Sequence, residues 1–229
     1  MKLMVIDTAL GACLAGSYEV EGTVVTPLGV RSEEMTKGHQ ERLGGMARDT
    51  AADAGGLKGT SRIGVTVGPG SFTGLRVGLS FALGLGAALD AKVIGISTLD
   101  ALAASVPANG LVVAAIDARR GQVYMRMFKD GVAITSAEAV PLEMAAERIL
   151  AEGDVADTVI VGSGGAVLAA ISPALEQAKR VERVAPSAQA LARLTAQLDP
   201  ETNPPKPLYL RAPDATPPTR LPGQPRAAS

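Results

Sequence analysis

Apolar and polar positions change period several times along the first hundred residues. Leu3 to Ile6 is an apolar run closed by Asp7-Thr8. A second run from Cys13 to Val20 passes through Glu21-Gly22 into Thr23 to Val30, and the pattern predicts a meander of three strands. Helical spacing follows at Met35, His39, Leu43, Met46, Ala47, Thr50 and Ala54, which predicts one amphipathic helix with Ser32 as its N-cap before Glu33-Glu34. Ile63 to Val67 reads as a strand, followed by a glycine loop, a helix from Thr73 to Leu89, a strand from Val93 to Ile96 and a helix opening near Thr98.

The pattern then starts again. Ile6-Asp7-x-x-x-Gly11 is echoed by Ile116-Asp117-x-x-x-Gly121, both at an offset of 110; Glu21-Gly22 is matched by Asp130-Gly131, and Val67-Gly68-Pro69-Gly70 by Val161-Gly162-Ser163-Gly164. A tandem duplication of one α/β unit is expected, each copy a mixed sheet flanked by helices. The lobes are drawn at 1–110 and 111–199. From Pro200 onward, where nine of the 15 prolines lie, the periodicity stops and residues 200–229 read as an extended tail. Within it, only Pro207 to Arg211 has the apolar character to dock on the body.

Composition narrows the chemistry. With 229 residues, 47% of them hydrophobic, the chain can bury a sizeable core, which excludes disorder as its main state. Lys and Arg total 22 against 23 acids, a formal charge of -1, so no global basic field holds nucleic acid and any RNA contact must be local or shared. The lone Cys13 excludes an intramolecular disulfide and the lone His39 removes motifs that need a histidine pair, so no metal site is expected. An acid at position 7 interrupts any secretion signal. The apolar stretch Leu75 to Leu89 is short for a membrane span, so a soluble, cytoplasmic chain without membrane contact is expected.

Gly68-Pro69-Gly70-Ser71-Phe72-Thr73-Gly74 lies between a strand and a helix, where backbone N–H groups and a helix N-terminus can hold a phosphate. It lacks the Gly-Lys-Ser/Thr of a Walker loop, and its third glycine falls one place late for a dinucleotide fingerprint. A tight turn with close helix packing is the leading reading. Asp7 and Asp117 either flank a cleft and hold magnesium against phosphates or simply end their strands, two readings that stay level. With Thr8, Gly68, Gly70 and Ser71 they form the candidate nucleotide set. Gly74, Gly78, Ala82 and Gly86 recur every four residues and predict a smooth face for a partner helix.

A duplicated unit with an acid after each first strand resembles the actin, Hsp70 and sugar-kinase superfamily, in which two ribonuclease-H-like lobes enclose a nucleotide. The string Gly68 to Gly78, with Ile6 to Ala9, Ile96 to Leu99, Ile116 to Arg119 and Tyr209 to Arg211, resembles the bacterial TsaB, or YeaZ, family nearly along the whole chain. That resemblance implies an actin-like ATPase fold. It also implies a non-catalytic subunit of the complex that installs threonylcarbamoyl on the adenosine beside the tRNA anticodon, acting by binding the catalytic paralogue TsaD.

The implied partners are TsaD as a heterodimer and TsaE as a third component, with a homodimer in isolation and tRNA reached only through the complex. No cofactor is implied for this subunit, and weak or shared ATP and magnesium binding stays open. The implied interface is a four-helix bundle made with helices near Glu33 to Ala54 and Thr73 to Leu89, through Met35, His39, Leu43, Met46, Thr50, Gly74, Leu75, Gly78, Ala82 and Gly86. An ATP-dependent kinase of the same superfamily is the alternative, and a peptidase a third reading.

Overall fold

The computed structural model describes residues 1–107 and 109–211; the part of the predicted tail from 212 to 229 lies outside the described residues. The first lobe holds β1 (Lys2–Asp7), β2 (Ala12–Glu21), β3 (Val24–Glu34), α1 (His39–Asp53), β4 (Thr60–Gly68), α2 (Phe72–Leu89), β5 (Lys92–Ser97) and α3 (Thr98–Ala103). The second holds β6 (Leu111–Arg119), β7 (Gln122–Lys129), β8 (Val132–Ala133), β9 (Glu138–Pro141), α4 (Leu142–Glu152), β10 (Val159–Val161), α5 (Gly164–Ile171), β11 (Lys179–Val181) and α6 (Ala188–Gln197). The first sheet runs β3-β2-β1-β4-β5 and the second β11-β10-β6-β7-β8, with β9 also on β7. In each, an antiparallel hairpin supplies a strand that two later strands extend in parallel. The duplication expected from the Asp-x-x-x-Gly echo is therefore a duplication of sheet topology.

Period-two alternation sorts each first strand between two cores. Met4 and Ile6 face α1 and α2 with Leu43, Met46, Ala47, Leu79 and Ala82, whereas Leu3 and Val5 face Leu14, Tyr18, Ile94, Ile96 and Leu191. In the second sheet Val113 and Ala115 face α4 and α5. Val112, Ala114 and Ile116 meet Leu99 and Leu102 of α3, so this short helix is buried between the lobes.

Three boundaries differ from the expected ones. Ser32 caps no helix, because β3 stays paired with β2 as far as Ala12 with Glu34; α1 opens instead after Gly38, which is left-handed. The strand expected from Thr23 to Val30 is longer for the same reason. Helix α6 lies within 111–199 by sequence but packs on the first sheet, through Leu191 and Ala192 with Leu194 and Leu198 beside them. That face of β1 is apolar, and no element of residues 1–97 covers it.

The chain after α6 runs back along the first lobe. Gly95 N donates to Asn203 O at 2.9 Å and Leu208 N to Val67 O at 2.7 Å. Leu208 and Leu210 insert at the edges of two cores, as the apolar character of Pro207 to Arg211 suggested. Among the described residues α2 is the one helix long and apolar enough to cross a membrane, and its inner side is packed on the first sheet.

Candidate functional site

Asp7 ends β1 fully buried. Its Oδ1 accepts from Ala9 N at 3.0 Å and from the Thr66 hydroxyl, while Oδ2 is buried without a partner. Burial pushes its pKa up, and the Thr66 hydrogen bond offsets part of that rise. Thr8 Oγ1 donates to Gly74 O at 2.7 Å, and Ser71 N to Ala9 O at 2.7 Å. A Cβ at Gly70 would strike Ala9 O, one at Gly74 would strike Thr8 O, and one at Gly68 would lie 2.7 Å from Leu208 O. The glycine loop is thus filled by the β1–β2 turn and by the returning chain. Its side-chain-free positions serve close backbone approach, and Asp7, Thr8, Gly68, Gly70 and Ser71 meet at this junction.

Asp117 sits elsewhere in the chemistry of the second lobe. Its Oδ1 accepts from Arg119 N at 2.8 Å, Oδ2 lies 3.2 Å from Arg119 Nη1, and its own N donates to Ser163 Oγ. Arg119, Arg120 and Gly121 all have positive φ, at 62°, 55° and 71°. Left-handed backbone at a residue with a side chain costs about 1 kcal/mol, so this turn holds two arginines at its tip against a local preference for Asn or Gly. Among the described residues no group of three or more His, Cys, Asp and Glu could hold a metal ion.

The small-residue stripe does not face outward. Gly78 lies over Thr8, Val65 and Ile6, Gly86 over Val93 and Ile63, and Gly74, Leu75 and Ala82 are buried with them, so the stripe lets α2 settle on its own sheet. Regular spacing groups residues on one face without saying what that face meets. On α1, Leu43, Met46 and Thr50 are likewise buried. His39 opens the helix with its Nε2 buried and unpartnered, and Met35 packs half-buried against the same core. The predicted interface residues are therefore mostly the inward face of the two helices, with Met35 ahead of α1 and Leu43 at the base of the groove between them.

What the helices leave outward is a groove between them. Gln40, Leu43, Phe72, Thr73, Arg76, Val77, Ser80 and Phe81 line a cavity of about 620 Å³, and Gly44, Ala47, Ala51, Leu57, Phe81 and Leu85 line an apolar one beside it. Gly44, Gly45 and Gly84 have nothing within 4 Å of a Cβ, so internal packing does not require them. A missed signal was available: α2 is apolar all round, and such a helix is covered on both sides.

The model of the family described as TsaD, tRNA N6-adenosine threonylcarbamoyltransferase, matches residues 19–207. The chain belongs to this family. Beside this TsaD-family match, the chain is 34% identical to an uncharacterized protein of Mycobacterium tuberculosis over 218 residues, 94% of each chain. It is 37% identical to tRNA threonylcarbamoyladenosine biosynthesis protein TsaB of Escherichia coli over 128 residues. The chain spans about half the length of that TsaB, 53% of it, with 54% of its own residues. The structure of YeaZ from Pseudomonas aeruginosa matches at a TM-score of 0.71 and 26% identity, over 91% of this chain and 99% of that one. The resemblance to TsaB and YeaZ carried by the glycine string holds, and with it the actin-like ATPase fold.

Proposed function

We propose that this chain is a TsaB-type, non-catalytic subunit of the machinery that places threonylcarbamoyl on the adenosine beside the tRNA anticodon, and that it acts by binding TsaD through the α1–α2 groove. The observation that carries the reading is the groove itself, with exposed glycines that no internal contact explains. A paralogue sharing this fold presents two equivalent helices. Two such pairs pack as a four-helix bundle at about 8–10 Å between axes only where side chains are small, which gives Gly44 a role. A second copy of this chain fits the same groove, so the homodimer competes with the TsaD heterodimer, and TsaE joins the assembled pair. The reading puts the chain in the cytoplasm with its tRNA.

The non-catalytic part is supported by the close backbone approaches that fill the glycine loop and by the Thr66 hydroxyl on Asp7; on this reading any nucleotide is shared with TsaD. The kinase alternative needs that site open, and the named relatives favour the TsaB reading over it. Calorimetric titration with TsaD tests the proposal. Binding is expected for the unmodified chain, with no ATP turnover by the chain alone. Gly44→Leu weakens binding by roughly ten- to a hundredfold through overpacking of about 1–3 kcal/mol. Full TsaD affinity in Gly44→Leu would remove the groove from the interface.

A further inference from the structure

A second cavity, of about 520 Å³, opens where the two lobes meet, and it shares no lining residue with the α1–α2 groove. Its walls come from α3, from α6 and from the β7–β8 end of the second sheet. It is also remote from the Asp117 turn. Val112, in its wall, precedes Asp117 on β6 by about 17 Å of extended strand.

The charged side chains lining it are Asp100, Arg126 and Arg193. Arg126 is already engaged: its Nη1 donates to the two Asp100 carboxylate oxygens at 2.7 and 2.8 Å, and its Nε to Thr135 O at 3.0 Å. Arg193, on the exposed side of α6, has no hydrogen bond or ion pair among the described residues. Asp100 and Arg126 cancel, so the cavity keeps one uncompensated positive charge. Much of the remaining wall is apolar, with Val106, Val112, Phe128, Ala133 and Leu194. Arg126 and Phe128 share a face of β7, and the guanidinium lies 5.6 Å from the ring centroid, which holds the floor of the cavity in place.

We infer that this cavity binds a small organic acid, its single carboxylate on Arg193 and its apolar body against Val112, Phe128 and Leu194. An apolar pocket of this volume with a few convergent polar groups is the usual form of a small-molecule site. A guanidinium fork matches a carboxylate, and Gln197, one turn along α6 and also in the wall, brings a second donor to the same place. A phosphate suits it less well, because its second charge exceeds the one the cavity leaves uncompensated and faces the Asp100 carboxylate. A ligand held there joins α6, which covers the first sheet, to β7 of the second, so it stabilises the assembled two-lobe form by mass action. The inference does not depend on the TsaD reading.

The test uses the full chain, labelled at alanine and leucine methyl groups, with benzoate, phenylacetate and octanoate as probes at millimolar concentration and phenylacetamide as the neutral counterpart. Methyl NMR signals of Ala103, Ala133 and Leu194 are expected to shift with at least one of the acids, and the melting temperature to rise as that acid is added. The amide binds about tenfold more weakly than phenylacetate. Arg193→Gln lowers the affinity for the acid by about tenfold, leaves that for the amide unchanged and melts like the parent, because Arg193 has no partner to lose among the described residues. Ala104→Leu, which adds bulk at the mouth, weakens both. No shift with any of the three acids overturns the inference. So do equal affinities for acid and amide, an acid affinity that survives Arg193→Gln, or shifts that fall on Ala47 and Leu85 of the α1–α2 groove instead.

Discussion

The Asp7 carboxyl is held above its ordinary pKa by burial. Between the unfolded value of about 4 and that raised value, the native chain keeps a proton that the unfolded chain has released. Stability therefore falls as pH rises through this window and is fully recovered below it. Asp7→Asn keeps an acceptor for Ala9 and Thr66 and removes the buried charge. Thermal melts at two pH values should show the variant above the parent at neutral pH, the gap closing as the pH is lowered toward about 4. A parent that melts higher than the variant at neutral pH contradicts this. Gly78 and Gly84 make a second residue-scale pair. A side chain at Gly78 meets Thr8, Val65 and Ile6, so Gly78→Leu should destabilise the isolated chain by about 1–3 kcal/mol or more. Gly84→Leu meets nothing and gains helix propensity, so its melt should match or exceed the parent's. Burial also pushes the Cys13 thiol to about 11, so a thiol reagent at neutral pH should react with it only as the chain unfolds.

At the scale of elements, α6 is tied to the first lobe by a side-chain hydrogen bond at each end, Gln189 Nε2 donating to Val25 O at 2.8 Å near its start and Arg62 binding its last turn. Arg62 Nη1 donates to the carbonyls of Thr195, Ala196 and Leu198 at 2.9–3.0 Å, at the end of α6 where carbonyls lack helical partners. Arg62→Ala should lower stability by about 1–3 kcal/mol in chemical denaturation, with the strands of the first sheet intact by circular dichroism. Little in the sequence announces this contact, since residues 62 and 195 are distant and neither belongs to a motif. The strands were legible because an unbroken apolar run such as Leu3 to Ile6 states directly that both faces are buried. The end of β3 was not, because Ser32-Glu33-Glu34 has the chemistry of a helix start and only pairing with Ala12 to Leu14 keeps it extended. For the site, the glycine string marked the right place. Which side of α2 it served depended on Thr8 and Ala9 lying beneath, a tertiary fact that no spacing carries.

At the scale of the whole molecule, the two lobes share their helices. The α3 side chains Leu99 and Leu102 belong to the second sheet's core and Ala101 to the first, and α6 belongs by sequence to one lobe and by packing to the other. A cut at 110/111 therefore leaves Leu3, Val5, Leu14 and Tyr18 uncovered, and residues 1–110 alone should show no cooperative melt, whereas the intact chain should unfold in one transition by calorimetry and by circular dichroism alike. The same arrangement orders events at the ribosome. The first sheet is complete once Ser97 has been made, but its cover, Ala188 to Gln197, is still some 90 residues from synthesis. At bacterial elongation rates that interval is roughly 5–20 s, during which an apolar sheet face waits on a nascent chain. Slow decoding downstream of Ser97 prolongs that exposure, and a cell that makes this protein must shield the emerging chain for as long as the interval lasts.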